Sequence, residues 1–182
     1  MREPMSDEIA LITALVARAR NRPGRTALMK YLFFLKVLRN VPLPYNFRLY
    51  TYGPFDGYVH LGYAESLGAV ASRVVAYPGG RSYEYRAGPR AESVLQQGRE
   101  FLAHHEAGIV WVLEQFGNRT AVDLEMASTI VYIDRSLAER NLSTTIEDLA
   151  RKVRDVKPHL QLGMIEREAR ALAERRLLTA IA

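Results

Sequence analysis

The 182-residue chain has no cysteine, four lysines among its 25 basic residues, one tryptophan, and no apolar run near the length of about 20 residues that a membrane helix needs. Each scarcity excludes something. Without cysteine there are no disulfides, no thiolate nucleophile and no cysteine-ligated zinc. The first 20 residues, MREPMSDEIALITALVARAR, break their apolar stretch at Thr13, run into arginines and lack a small-residue cleavage site. This predicts a cytoplasmic protein with no membrane segment. The sequence also lacks G-x-S-x-G, P-loop, G-x-G-x-x-G and H-E-x-x-H patterns, so no catalytic residue and no cofactor is expected, and an enzyme is the least supported class.

Hydrophobic residues make up 48% and charged residues 25%, a composition that folds around a core. The net charge of +5 is unevenly spread. Residues 1–100 carry 14 basic and 8 acidic side chains, whereas residues 101–182 carry 11 and 12. A basic N-terminal half is compatible with a phosphate-facing surface. Of the 25 basic residues, 21 are arginine, which composition alone can also produce.

Spacing then places the elements. Ser6 or Asp7 is suited to cap a helix whose Ile9, Ile12, Leu15 and Val16 share one face, ending near Asn21 ahead of Pro23-Gly24. A second helix from Thr26 aligns Leu28, Leu32, Leu35 and Leu38, with Lys30 and Arg39 off that stripe, and Pro42 and Pro44 stop it. The aromatic alternation of YNFRLYTY, residues 45–52, predicts a strand whose tyrosines fill a small sheet with wet hydroxyls. Gly53-Pro54 ends it. Asp56 caps a third helix to Leu67, with Val59, Tyr63 and Leu67 inward. A hairpin then pairs residues 73–77 with 82–86 across Pro78-Gly79-Gly80-Arg81. The remainder reads as helix: a long one from Pro89 through Trp111, then Thr120–Ile133, Thr144–Val156 and Pro158–Leu178. Thr120 with Asp123 and Thr144 with Glu147 are the start boxes.

The order helix, helix, strand, helix, hairpin is that of a winged helix. The fold class expected is therefore α+β, mainly helical: a winged-helix-like domain over residues 1–88 with a β-hairpin wing, and a helical extension over residues 89–182 packed on it. In this reading GPFD, residues 53–56, is the corner that turns the strand into the third helix.

The segments TALMKYLFFL, YNFRLYTYGPFD, SLGAV, DLEMASTIVYID and VRDVKPHL, spread from Thr26 to Leu172, resemble the bacterial and archaeal YwgA-like family. More distantly they are similar to SocA-like, or Panacea, antitoxin domains. The resemblance implies a winged-helix-like fold with helical additions and roles in regulation, mobile-element biology or protein binding. It carries over no catalytic residue.

Two functions follow as expectations. One is a DNA-binding transcription regulator contacting duplex phosphates through Arg25, Lys30, Arg48, His60, Arg73, Arg81 and Arg86, with Arg81 at the wing tip. The other is an antitoxin- or adaptor-like module that turns the same scaffold to a protein partner. A homodimer is compatible with both. The third helix contains Asp56 and Glu65 and neither lysine nor arginine, which disfavours base reading. Convergence of the basic residues on the wing and third helix would favour DNA, and scatter would favour a protein partner. His104-His105-Glu106 does not have metal spacing, because neighbouring helix residues point about 100° apart, and no metal is expected. Asp123 and Glu125 diverge in the same way. Asp123 suits a helix start and Glu125 a buried partner.

Overall fold

The structure, a computed structural model, describes residues 4–181, with side chains from Asp7 onward. It is α+β and mainly helical, and its β content is two small antiparallel hairpins. The chain forms two compact units that interleave in sequence: Met1–Tyr45 with Asp56–Arg119, and Asn46–Phe55 with Thr120–Ala182. This partition does not follow the expected boundary at residue 88. Among the described residues no helix is long and apolar enough to cross a membrane.

The first unit is built on α1 (Pro4–Arg18) and α2 (Arg25–Arg39). The helical run of α1 includes Asp7 in its first turn, so Asp7 is not the cap, and Ser6 lies outside the described side chains. Residues 28–35 of α2 are all buried, which makes it an internal helix rather than a one-faced one. Lys30 is drawn inside with them, at 2% exposure. Asn40 stops the helix in the left-handed conformation, with φ 54°.

α3 (Val59–Ser66) starts after Tyr58, not at Asp56, and its faces are the reverse of those expected. Leu61 and Ala64 point inward while Val59 is 79% and Tyr63 44% exposed. The following hairpin pairs β3 (Val70–Tyr77) with β4 (Gly80–Ala87), the register running from Val70 opposite Ala87 to Tyr77 opposite Gly80. Its loop is therefore the two residues Pro78 and Gly79, shorter than expected, and Gly79 supplies the φ of 103° that so tight a turn needs.

The long helix expected from Pro89 is two: α4 (Ala91–Gln97) and α5 (Arg99–Phe116), broken at Gly98. A Cβ on Gly98 would lie 2.2 Å from the Cβ of Ala10, so close packing against α1 holds this position to glycine. Both helices pack on α1, and α5 also packs on α2, where Phe34 and Phe116 stack with centroids 3.9 Å apart.

The second unit combines a miniature hairpin with three helices. β1 (Arg48–Tyr50) pairs with β2 (Gly53–Phe55), Tyr50 facing Gly53. GPF is thus the return strand of a hairpin and not a corner into α3. Gly53, at φ 87°, closes the turn over Thr51 and Tyr52. Tyr45, in the first unit, is buried, whereas Tyr50 and Tyr52 are largely exposed and do not fill a sheet as expected.

α6 (Ala121–Glu139) opens with the capping box foreseen for Thr120 and Asp123. α7 (Ile146–Val156) is capped one residue later than expected, by Thr145 accepting from the Asp148 N–H, and α8 (Leu162–Glu174) follows. The closing segment is fastened by Asp134 of α6, fully buried. Its carboxylate accepts from the Thr179 and Ala180 amides at 2.8–3.0 Å and from Arg135 Nη1 at 2.7 Å.

Candidate functional site

The residues expected to hold phosphate do not come together. Lys30 is buried and drops out of any surface set. Arg48 belongs to the small hairpin of the second unit, whereas the β3–β4 hairpin belongs to the first. His60 faces a carboxylate, its Nδ1 standing 2.6 Å from Glu8 Oε2, with its ring edge-on to Tyr45.

On β3–β4 the register sorts the remaining arginines by face. Arg73 stands opposite Glu84 and pairs with it at 2.7 Å, and Arg86 lies on that same face. Arg81 is one residue into β4, opposite Ala76 and not at the tip, and projects from the other face together with Tyr83 and Tyr85. Among the candidate residues, then, only Arg81 and Arg86 combine exposure with a place on the hairpin and no ion pair among the described contacts, and they point to opposite sides.

What the first unit does assemble is an aromatic seat for Arg25. Its guanidinium lies 3.6 Å from the centroid of Tyr83 and 5.4 Å from that of Tyr58, while Nε donates to the Tyr85 hydroxyl at 3.0 Å. Burial holds the Tyr85 phenol above its ordinary range, against the lowering pull of Arg25 and with smaller raising contributions from Glu65 and Tyr83. The seat links the start of α2 to the entry of α3 and to one face of the hairpin. There Val74, 55% exposed, stands opposite Tyr83. Next to Tyr58, α3 turns Val59 and Tyr63 outward, one helical turn apart. A rigidly seated arginine flanked by tyrosines and exposed aliphatic side chains has the composition of the energetic centre of a protein interface.

The second unit holds a different cluster, in which Glu125 meets the buried partner expected of it, a lysine. Lys157, 2% exposed, donates from Nζ to the carbonyl of Tyr50 at 2.6 Å and to that of Thr51, and stands 3.1 Å from Glu125 Oε1. His159, half exposed, approaches Glu125 at 3.4 Å from outside. Three of the segments quoted above, YTYGPFD, DLEMAS and VKPHL, meet here. The ammonium is thus held by two turn carbonyls and stands against one carboxylate. Chemically this is a clamp on the tip of the β1–β2 hairpin. A lysine directly before proline was the signal available for it.

In the first unit Glu8, also 2% exposed, is less well served. Apart from the His60 contact, no described residue donates to Oε1. Burial raises its pKa, and the nearby His60 opposes that shift. Among the described residues no group of three or more histidines, aspartates or glutamates is placed to hold a metal.

No protein-family model, curated protein or solved structure matches the chain.

Proposed function

We propose that the protein is a non-enzymatic interaction module of regulatory type, a winged-helix-like scaffold that uses α3 and the β3–β4 hairpin to hold a protein partner. The observation that carries this reading is the Arg25 seat between Tyr58 and Tyr83, continued by the outward Val59 and Tyr63 of α3. On a duplex-reading winged helix that face would present Arg, Lys, Asn or Gln to base edges, and α3 has none of them. The scatter of the other basic residues supports the same choice.

The test has two arms. A photo-crosslinking side chain at Tyr63 should give a discrete protein adduct in cells, and the adduct should disappear when Arg25 is changed to Ala. The same probe at the exposed Glu92 should give none. In parallel, mobility-shift titrations at two salt concentrations should show no duplex binding tighter than a salt-sensitive background of roughly micromolar or weaker affinity.

A duplex-binding regulator is the second reading, favoured by the exposure of Arg81 and Arg86 on the hairpin. If it holds, tight wild-type binding is seen, and replacing both residues by Ala flattens the salt dependence by up to about 1.8 units of slope, roughly 0.9 per lost phosphate contact.

A further inference from the structure

The β3–β4 hairpin has two outer edges, and the chain bonds to only one of them. On β4 the Tyr85 N–H turns away from β3 and donates to the Pro23 carbonyl at 3.0 Å, and just past the strand ends Gly88 donates to the Ala69 carbonyl at 3.0 Å. Together these bonds fix the alternation of the ladder. Residues 71, 73, 75 and 77 of β3 exchange bonds with β4, while Ser72, Val74 and Ala76 aim their N–H and carbonyl groups outward. Among the described residues no backbone hydrogen bond outside the ladder reaches those outward groups. The edge also lacks the usual guards. Over its eight residues β3 has no proline, no lysine and no bulge, its register running unbroken from Val70 to Tyr77. Its one charge, Arg73, is turned across the ladder to Glu84. A regular strand edge left open in this way is a template for one further strand.

Charge and side-chain alternation select the occupant. Residues 70–87 carry three arginines and one glutamate, a net of +2. A second copy laid edge to edge would bring two such surfaces together, whereas an acidic segment is attracted. Arg81 stands opposite Ala76 on the face of Val74 and Tyr83, exposed and in no ion pair among the described contacts. Alanine is short, so an acidic side chain on a strand laid beside Ala76 can meet that guanidinium over it. On the other face of β3, Val75 and Tyr77 are apolar. The strand that fits therefore alternates acidic side chains on the Arg81 face with apolar ones between them.

We propose that the outer edge of β3 takes an extended acidic segment of the protein partner as a third strand, held by the backbone of Ser72, Val74 and Ala76 and by the side chain of Arg81. The proposal rests on the protein-partner reading and names what that partner presents.

The test titrates the intact protein with the blocked hexapeptide Glu-Val-Glu-Val-Glu-Val and follows the amide resonances of Ser72, Val74 and Ala76. Saturable shifts are expected there, and the same peptide with lysine for glutamate should bind about tenfold or more weakly. Methylating either the glutamate amides or the valine amides separates a strand edge from a mere patch, since only one set faces β3. One isomer should keep its affinity and the other lose it. Val74→Pro removes an N–H that points away from β4, so the ladder keeps its bonds, and it should weaken the peptide about tenfold. Arg81→Ala should weaken it about threefold, as for an exposed ion pair. If Val74→Pro fails to fold, the two methylated peptides on the wild type still decide. The proposal is overturned if no saturable shift occurs, if the lysine peptide binds as well as the glutamate one, if both methylated isomers behave alike, or if Val74→Pro keeps wild-type affinity. A concentration-dependent dimer that Val74→Pro abolishes assigns the edge to a second copy and overturns it too. A Tyr63 photo-adduct that persists in Val74→Pro leaves the protein-partner reading standing and removes only the added strand.

Discussion

The two units hold their buried carboxylates with different partners. In the second, Glu125 faces the Lys157 ammonium at 3.1 Å, and Asp134 is saturated by backbone amides and an arginine. In the first, Glu8 faces a single histidine. Glu8 and Glu125 each keep a buried oxygen with no hydrogen bond among the described residues, so what separates them is the partner. The lysine also grips two hairpin carbonyls and so ties its carboxylate into the architecture, which the histidine does not do.

The largest test of that contrast is Lys157→Met, which leaves Glu125 buried without its cation and two hairpin carbonyls without a donor. Chemical denaturation should show a loss of about 3–5 kcal/mol. Adding Glu125→Leu should recover a large part of it, and simple additivity of the two changes would break the idea of a closed pair. Next is Gly53→Val at the tip that Lys157 holds. Its φ of 87° resists a β-branched residue, and a cost of about 1–3 kcal/mol is expected in the same measurement.

For the Glu8–His60 pair the test is pH. Burial raises the Glu8 pKa above 4.5, so the folded protein binds more protons there than the unfolded chain does. Wild-type stability should therefore fall as pH rises from about 4.5 through the folded-state pKa, and Glu8→Gln should remove that decline. Thermal melts from pH 4 to 8 on both proteins check it, and a decline that survives in Glu8→Gln assigns the effect elsewhere. The smallest effect belongs to Arg81→Ala with Arg86→Ala, exposed on opposite hairpin faces, which should change stability by less than about 0.5 kcal/mol.

Local signals were legible in the sequence and distant ones were not. The Thr120–Asp123 start of α6 and the pairing of β3 with β4 rest on neighbours within a few residues and emerge, the hairpin with a tighter loop than expected. The break at Gly98 depends on Ala10, far away in sequence, and inside a helical pattern the glycine looks merely tolerated. α3 was assigned the wrong face because apolar residues occur all around its eight positions, and only packing selects Leu61 and Ala64. Of the candidate site, Arg25 was picked out as a cation, yet its seat needs Tyr58, Tyr83 and Tyr85 from two later elements. Lys30 looked like a surface lysine because nothing in its own helix indicates that the whole turn is enclosed.

The Lys157 clamp also has a consequence in time. Its donor comes 106 and 107 residues after the carbonyls it grips. On a ribosome adding about 5–20 residues per second, the β1–β2 hairpin emerges on the order of 5–20 s before its lysine exists. A three-residue-per-strand hairpin is not stable alone over such an interval. During synthesis the YTYGPF segment must therefore wait unpaired, or in transient contacts, until the last third of the chain arrives to fix it.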